Sequence, residues 1–250
     1  MCTMSKTVVA GIPTSTLGRP SLAHMVFAEP SERDGPRIPR LLFDINGHAI
    51  ALYYSDRNYR AALDKADVVH ADGQSIVFAS RLLCSLPIEE RTATTDIIHD
   101  FAAEAVRTNR SFFLLGSDEE TNAGCAAKLQ ELYPRLKVAG RRNGYFGPQD
   151  EDAIFDTIEA SGADIVWVGL GKPLEQIFAA RARARLTCSW IITCGGCFNF
   201  ITDEYKRAPK WVQNFGLEWL HRLIKRPHKL FWRYVVTNPI ATYWILKASR

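Results

Sequence analysis

Residues 163–168, Ala163-Asp164-Ile165-Val166-Trp167-Val168, run directly into Gly169-Leu170-Gly171-Lys172-Pro173. The four residues from Ile165 are apolar without alternation, the pattern of a strand buried on both faces. The glycines make a tight turn, and the fixed φ of Pro173 suits the first turn of a helix. One strand–turn–helix unit is therefore legible here. Similar units recur on both sides: strands are expected at Arg40–Ile45, Ala66–His70, Ser111–Leu115, Leu136–Ala139 and Ser189–Thr193. Helices are expected between them at Ser55–Lys65 with Ser55 as cap, Gln74–Leu83, Thr95–Arg107 with Thr95 as cap, Glu119–Tyr133 and Asp150–Ala160. On the Thr95 helix, Ile98, Phe101, Ala102 and Ala105 share one face. Alternation at this spacing predicts an α/β fold, a Rossmann-like, mostly parallel sheet flanked by helices.

Three segments follow from this. Residues 1–40 show no clear period and read as an N-terminal extension, with Ala28–Arg40 (AEPSERDGPRIPR) as linker. Residues 41–203 form the sheet domain. Residues 204–250 change texture and read as a C-terminal helical appendage of two or three short helices broken by Pro209, Pro227 and Pro239. The whole chain of 250 residues carries +4. Residues 201–250 hold 10 Lys and Arg against 3 Asp and Glu, a charge of +7, so the remainder carries −3. Trp211, Trp219, Trp232 and Trp244 lie in the same appendage. A basic, Trp-rich segment on a slightly acidic body suits an anionic surface. The opening MCTMSKTVVAGIP lacks the basic-then-apolar pattern of a signal peptide, and no run of about 18 apolar residues occurs. A cytoplasmic protein with free thiols and no membrane-spanning helix is the expectation.

In parallel sheets, ligands bind beyond the carboxyl ends of strands. Those ends carry the candidates. Asp72, between a short strand and Gly73, is placed either as a general base or as a helix cap. The Gly169–Pro173 turn is either a phosphate-binding loop at a helix N-terminus or a plain tight turn; neither GxGxxG nor a Walker A pattern is present. Asp150-Glu151-Asp152 has the look of a metal-binding DxD but also of the acidic first turn of a helix. Cys194-Gly195-Gly196-Cys197 lacks a second pair of zinc ligands and reads as two buried thiols around a glycine turn, with no helix opened by it. In the appendage, Arg222, Lys225, Arg226, Lys229 and Arg233 are spaced by three or four, interleaved with Trp219, Phe231, Trp232 and Tyr234. They could serve phosphates, anionic lipid or nucleic acid, or form a solvated face over core aromatics.

Taken together, the motifs resemble the WecG/TagA/CpsF glycosyltransferases, bacterial enzymes that build cell-surface polysaccharides. The resemblance runs from about Leu41 to Tyr234. Its most specific block is Arg207-Ala208-Pro209-Lys210-Trp211, then Gly216-Leu217-Glu218-Trp219-Leu220 and Arg222-Leu223. Ala71-Asp72-Gly73, Gly144-Tyr145-Phe146, Val168–Pro173, and Gly195-Gly196 with Phe198 and Phe200 complete it. The resemblance implies an inverting, metal-independent transfer of a sugar from a UDP-sugar donor to a sugar on a polyprenyl diphosphate, at the inner face of the cell membrane. No cofactor, metal or nucleic acid is implied, and a homo-oligomer is compatible with it. Asp72 matches the family's proposed base. Arg222, Arg226 and Arg233 are then the candidates for stabilising the diphosphate. Asp44, Asn46, Gly73, Gly169, Gly171, Lys172, Pro173, Glu175, Gln176, Gly195, Gly196 and Arg207 are the implied substrate-binding positions. The chain departs from the family at Asp44, where Thr is frequent, and at Glu175-Gln176, usually Gln-Glu. It departs again at Arg226 before Pro227, often Glu, and at Lys229, where Arg is common. Two other classes stay open on residues alone. One is a nucleotide-cofactor oxidoreductase, told apart by NAD(P) against UDP binding. The other is a non-catalytic docking module, for which Asp72 would be dispensable.

Overall fold

In the computed structural model, residues 5–28 and 38–250 are described, with the backbone alone for Lys229. A β-hairpin, β1 (Lys6–Val9) and β2 (Ile12–Ser15), leads into α1 (Arg19–Phe27). The sheet domain then runs β3 (Arg40–Ile45), α2 (Gly47–Ser55), α3 (Arg57–Leu63), β4 (Val68–Ala71), α4 (Gln74–Leu83) and α5 (Thr94–Thr108). It continues through β5 (Ser111–Gly116), α6 (Glu119–Leu132), β6 (Lys137–Arg142) and α7 (Glu151–Ala160). Next come β7 (Ile165–Gly169), α8 (Leu174–Ala182), β8 (Trp190–Thr193) and α9 (Cys197–Ile201). The appendage is α10 (Lys210–Asn214), α11 (Glu218–Lys225) and α12 (Pro227–Ala248).

Six strands form one sheet in the order β4-β3-β8-β7-β5-β6, and every pairing is parallel. The expected α/β architecture with a helical appendage is the one observed. The uninterrupted apolar strands are central for the stated reason: Ile165, Val166, Trp167 and Val168 are fully buried. Two hydrophobic clusters cover the sheet's faces. One contains Phe43, Val166, Ile191 and Phe178; the other contains Trp167, Trp190, Phe112 and Phe101. Strand order in the sheet places β3 and β8 side by side, so the loops after β4, β3, β8 and β7 open at one place above the carboxyl edge.

Several expectations are corrected. Residues 6–27, read as part of an N-terminal extension without a clear period, form the hairpin and α1. Val9, Ile12, Leu22, Val26 and Phe27 are buried, and the chain's own end closes the hairpin: Arg250 N donates to Val8 O (2.9 Å), and Gly11 N to Ala248 O (2.9 Å). Most of the expected linker, residues 29–37, lies outside the described residues. The helix caps are Asn46 and Asp56 rather than Ser55, because their side chains accept from Ala49 N and from Asn58 N and Tyr59 N. The α5 helix starts at Thr94, without a side-chain cap of its own. Cys197 does open a short helix. Pro239 does not break the appendage; it sits inside the 22-residue α12. Its missing N–H leaves the Val235 carbonyl without the usual helical donor. Packing holds the helix together past that point: Trp244 stacks on Tyr54 of α2 (centroids 3.6 Å, rings 2° apart), and Ala241 is buried. Pro227 does separate α11 from α12, as a first-turn residue of the latter.

Candidate active site

The loops after β3, β4, β7 and β8, together with α11 and α12, enclose a cleft of about 330 Å³. Asp44, Asn46, Asp72, Gly73, Gly171, Lys172, Glu175, Gly195, Gly196, Arg222 and Arg233 all line it. The sequence separates these residues by up to 189 positions, and the parallel topology joins them at one sheet edge.

Asp72 stands at the end of β4. Asn46 Nδ2 donates to its Oδ2 (3.1 Å), and the Thr94 amide donates to its Oδ1 (3.1 Å). The cap reading thus holds for a helix other than the one expected. Asp72 satisfies the first amide of α5, not of α4, whose own N-cap is Gly73. A carboxylate there is favoured by the helix dipole. Gly73 permits the pairing, since a Cβ would lie 3.2 Å from the Asn46 Cβ and 3.3 Å from its Cα. Burial pushes the Asp72 carboxyl up, but Lys172, the Asn46 hydrogen bond and Arg91 more than reverse this and hold it below the ordinary carboxylate range. Asp72 is therefore an anion at neutral pH, able to accept a proton.

Beneath it lies a buried charge cluster. Lys172 Nζ is hydrogen-bonded to Asp44 Oδ2 and lies 3.6 Å from Glu175 Oε1, and all three side chains are at most 8% exposed. Glu175 Oε2 accepts from the amides of Gly171 (3.1 Å) and Gly195 (2.8 Å), tying the loop after β7 to the loop after β8. Burial raises the Glu175 carboxyl, with Lys172 pulling the other way. Gln176 is wholly buried behind the cleft, donating to Thr193 Oγ1 (3.3 Å) and Glu175 Oε1 (3.2 Å). Two departures from the family's usual residues, Asp44 and the Glu175-Gln176 order, thus belong to one ion cluster with Lys172.

Five expected site residues are not among those lining the cleft, Gln176 behind it being the first. Gly169 is a packing glycine: a Cβ there would meet Gly195 O at 2.9 Å. Pro173 begins α8 outside the cleft. Arg207 forms a bidentate pair with Asp96 and donates to Gln213 Oε1 (2.8 Å), so it docks the appendage to α5. Arg226 lies beside the cleft, its Cζ 3.8 Å from the Tyr205 ring centroid. Lys229's side chain is outside what is described.

Two lining residues carried no signal that the sequence reading used. Arg91 donates to Glu218 Oε2 (2.7 Å) and Gln213 Oε1 (3.1 Å), linking the loop before α5 to the appendage. His48, in the first turn of α2, is pushed down to about 4 by burial and by Arg233 and Lys172, and is neutral. Its place two residues past Asn46, at a strand's carboxyl end, is a signal that could have found it.

The remaining motifs take the plainer of their readings. Asp150 Oδ2 accepts from Gly147 N, Glu151 pairs with Arg181 and Asp152 with Arg185, all away from the cleft. Cys194 and Cys197 are buried, and burial drives both thiols well above their ordinary range. Among the described residues no three His, Cys, Asp or Glu side chains gather as metal ligands, and all five cysteines are free.

These features define a Rossmann-like α/β protein whose ligand cleft is roofed by a C-terminal helical appendage. The family model described as the glycosyl transferase WecG/TagA/CpsF family matches residues 8–250. The chain belongs to that family. It is a glycosyltransferase of cell-surface polysaccharide biosynthesis.

Proposed function

We propose that the protein transfers a sugar, with inversion, from a UDP-sugar to a sugar carried on a polyprenyl diphosphate. The observation that carries this is a charge arrangement. An ionised Asp72 stands on one wall of the cleft, and Arg222 and Arg233 reach it from the appendage without a carboxylate partner among the described residues. In a direct displacement the acceptor hydroxyl oxygen bonds to the anomeric carbon while the bond to the UDP oxygen breaks. Asp72 takes the hydroxyl proton, and the electron pair leaves with UDP. The diphosphate needs preorganised cations, which the two guanidiniums supply. His48, being neutral, can hydrogen-bond substrate without adding charge.

The acceptor's lipid ties the reaction to a membrane. Among the described residues no helix is long and apolar enough to cross one. A peripheral surface supports the reading: Trp211, Ile224, Phe231 and Trp232 are exposed on α10, α11 and α12, and Phe215 just after α10. Phe78 of α4 lies against Gly216 and, with Leu82, extends that face onto the sheet domain. Each Lys or Arg near an anionic bilayer adds about 1 kcal/mol. We place the enzyme on the inner face of the cell membrane, with an anionic lipid surface rather than nucleic acid as its partner.

The test is a donor screen with a synthetic polyprenyl-diphosphate sugar, reading UDP release, for the wild type and Asp72→Asn. The variant should fold, bind UDP as the wild type does, and lose about 10²–10⁴-fold in turnover. Near-normal turnover would assign the proton to another group.

A further inference from the structure

Two appendage arginines, Arg222 and Arg226, differ from other arginines near the cleft in what holds them. Arg207 and Arg91 are held by carboxylates, Asp96 and Glu218. Among the described residues Arg222 and Arg226 have neither an ion pair nor a side-chain hydrogen bond; each rests instead on an aromatic ring of the segment where the sheet domain passes into the appendage. Arg222 Cζ is 5.6 Å from the Phe200 centroid, and Arg226 Cζ is 3.8 Å from that of Tyr205. The two rings meet edge-on, centroids 5.5 Å apart and planes at 85°, and form one corner just after β8. Phe200 lines the cleft. The Tyr205 ring reaches its lip, where a Cβ on Gly196 would lie 3.8 Å from Tyr205 Cε2. Nearby carboxylates are otherwise engaged: Glu218 by Arg91, and Glu204 by Asn199 Nδ2 (2.6 Å).

We infer that Phe200 and Tyr205 are positioning residues, whose ring faces seat the guanidiniums of Arg222 and Arg226 at the cleft for a ligand diphosphate. The inference rests on the donor and acceptor reading above. A carboxylate would orient an arginine equally well but would cancel its charge. A ring face attracts the cation and leaves its positive charge and its in-plane N–H donors available to an anion. The planar guanidinium is what stacks, so lysine is not an equivalent. Arg222 lies in the last turn of α11 and Arg226 is the residue that ends it, four positions on, so the two guanidiniums leave the same helix end toward two adjacent rings.

The test uses the full chain and two readouts, calorimetric binding of inorganic pyrophosphate and of UDP, and the KM and kcat of UDP release. Tyr205→Leu keeps bulk and removes the ring. It should weaken pyrophosphate binding and raise KM for the donor or the acceptor by about 3- to 30-fold. Tyr205→Phe should stay within about twofold of the wild type, because the seat is the ring and not the hydroxyl. Arg226→Lys, on a half-exposed side chain, should reproduce the loss. The double variant Tyr205→Leu/Arg226→Lys should be no worse than either single one, since both remove the same contact. Additive losses, or pyrophosphate binding unchanged in both single variants, would overturn the seats while leaving the reaction assignment standing. If the wild type binds neither UDP nor pyrophosphate, the donor reading fails and the seats with it.

Discussion

Lys172→Met removes the cation at the floor of the cleft while keeping a side chain of similar length. In the folded protein Lys172 lies between Asp44 and Glu175, and these three side chains are 8%, 3% and 0% exposed. The pair joins the end of β3 to the loop after β7 and the start of α8. Without the ammonium, two carboxylates remain out of water with no opposite charge between them. Breaking a buried pair from one side costs about 3–5 kcal/mol. For a chain of this length each kcal/mol lowers the melting temperature by about 2–4 °C, so a drop of about 6–20 °C is expected. The pH dependence has a definite sign. Burial already raises the Glu175 carboxyl and Lys172 opposes it, so in the variant the folded Glu175 holds its proton more tightly than the unfolded chain does, where carboxylates titrate near about 4. Such a raised group contributes stability that is intact below the unfolded value and is lost as pH rises through the folded one. The variant should therefore be closest to the wild type near pH 5 and weakest near pH 8. Urea unfolding at both pH values measures it. Lys172→Met/Glu175→Gln should recover much of the loss by removing one stranded charge. A penalty under about 1 kcal/mol, or one equal at the two pH values, would show that the cluster is hydrated and that the desolvation reasoning is wrong.

Three further outcomes follow from the cleft. Transfer should survive excess EDTA, since the cations assigned to the diphosphate are guanidiniums; rescue of a lost activity by Mg²⁺ or Mn²⁺ would reassign that role. The acid limb of kcat/KM set by Asp72 should fall below the ordinary carboxylate range, because Lys172 and Asn46 hold it down against burial, and His48→Gln should leave the profile between about pH 6 and 7 unchanged, because burial, Arg233 and Lys172 push His48 down to about 4. In the appendage, Trp211→Ser/Trp232→Ser should weaken salt-sensitive binding to anionic liposomes and leave turnover of a short-chain, water-soluble acceptor unchanged. Arg222→Gln/Arg233→Gln should abolish transfer to both acceptors. Point variants separate these roles better than deletion from Glu204, which would also strip Trp244 from Tyr54 and Arg250 from Val8.

What the sequence determined by itself is what a window of about ten residues can encode. The runs at Arg40–Ile45, Ser111–Leu115 and Ile165–Val168 read as strands, and strands are what form there. Gln74–Leu83 was bounded to the residue, and the strand-end position of Asp72 and the charge of the appendage were both plain. The family's motifs added the order of those pieces. The rest depends on partners far away in the chain. The hairpin over Lys6–Ser15 has strands too short to show a period, and it is held by residues 248–250. Pro239 forecasts a break by its missing donor, yet packing of α12 on α2 outweighs one lost hydrogen bond. Arg207 is a free cation in any local reading, and only the fold brings Asp96 to it. Lys172 meets Asp44 across 128 residues, and Arg226 meets Tyr205 only because the end of α11 is laid beside the segment that follows α9. Backbone periodicity is a local property and is written in the residues that share it. Charge pairing and ring stacking depend on distance in space, which the chain acquires only when the sheet assembles and the hairpin meets residues 248–250.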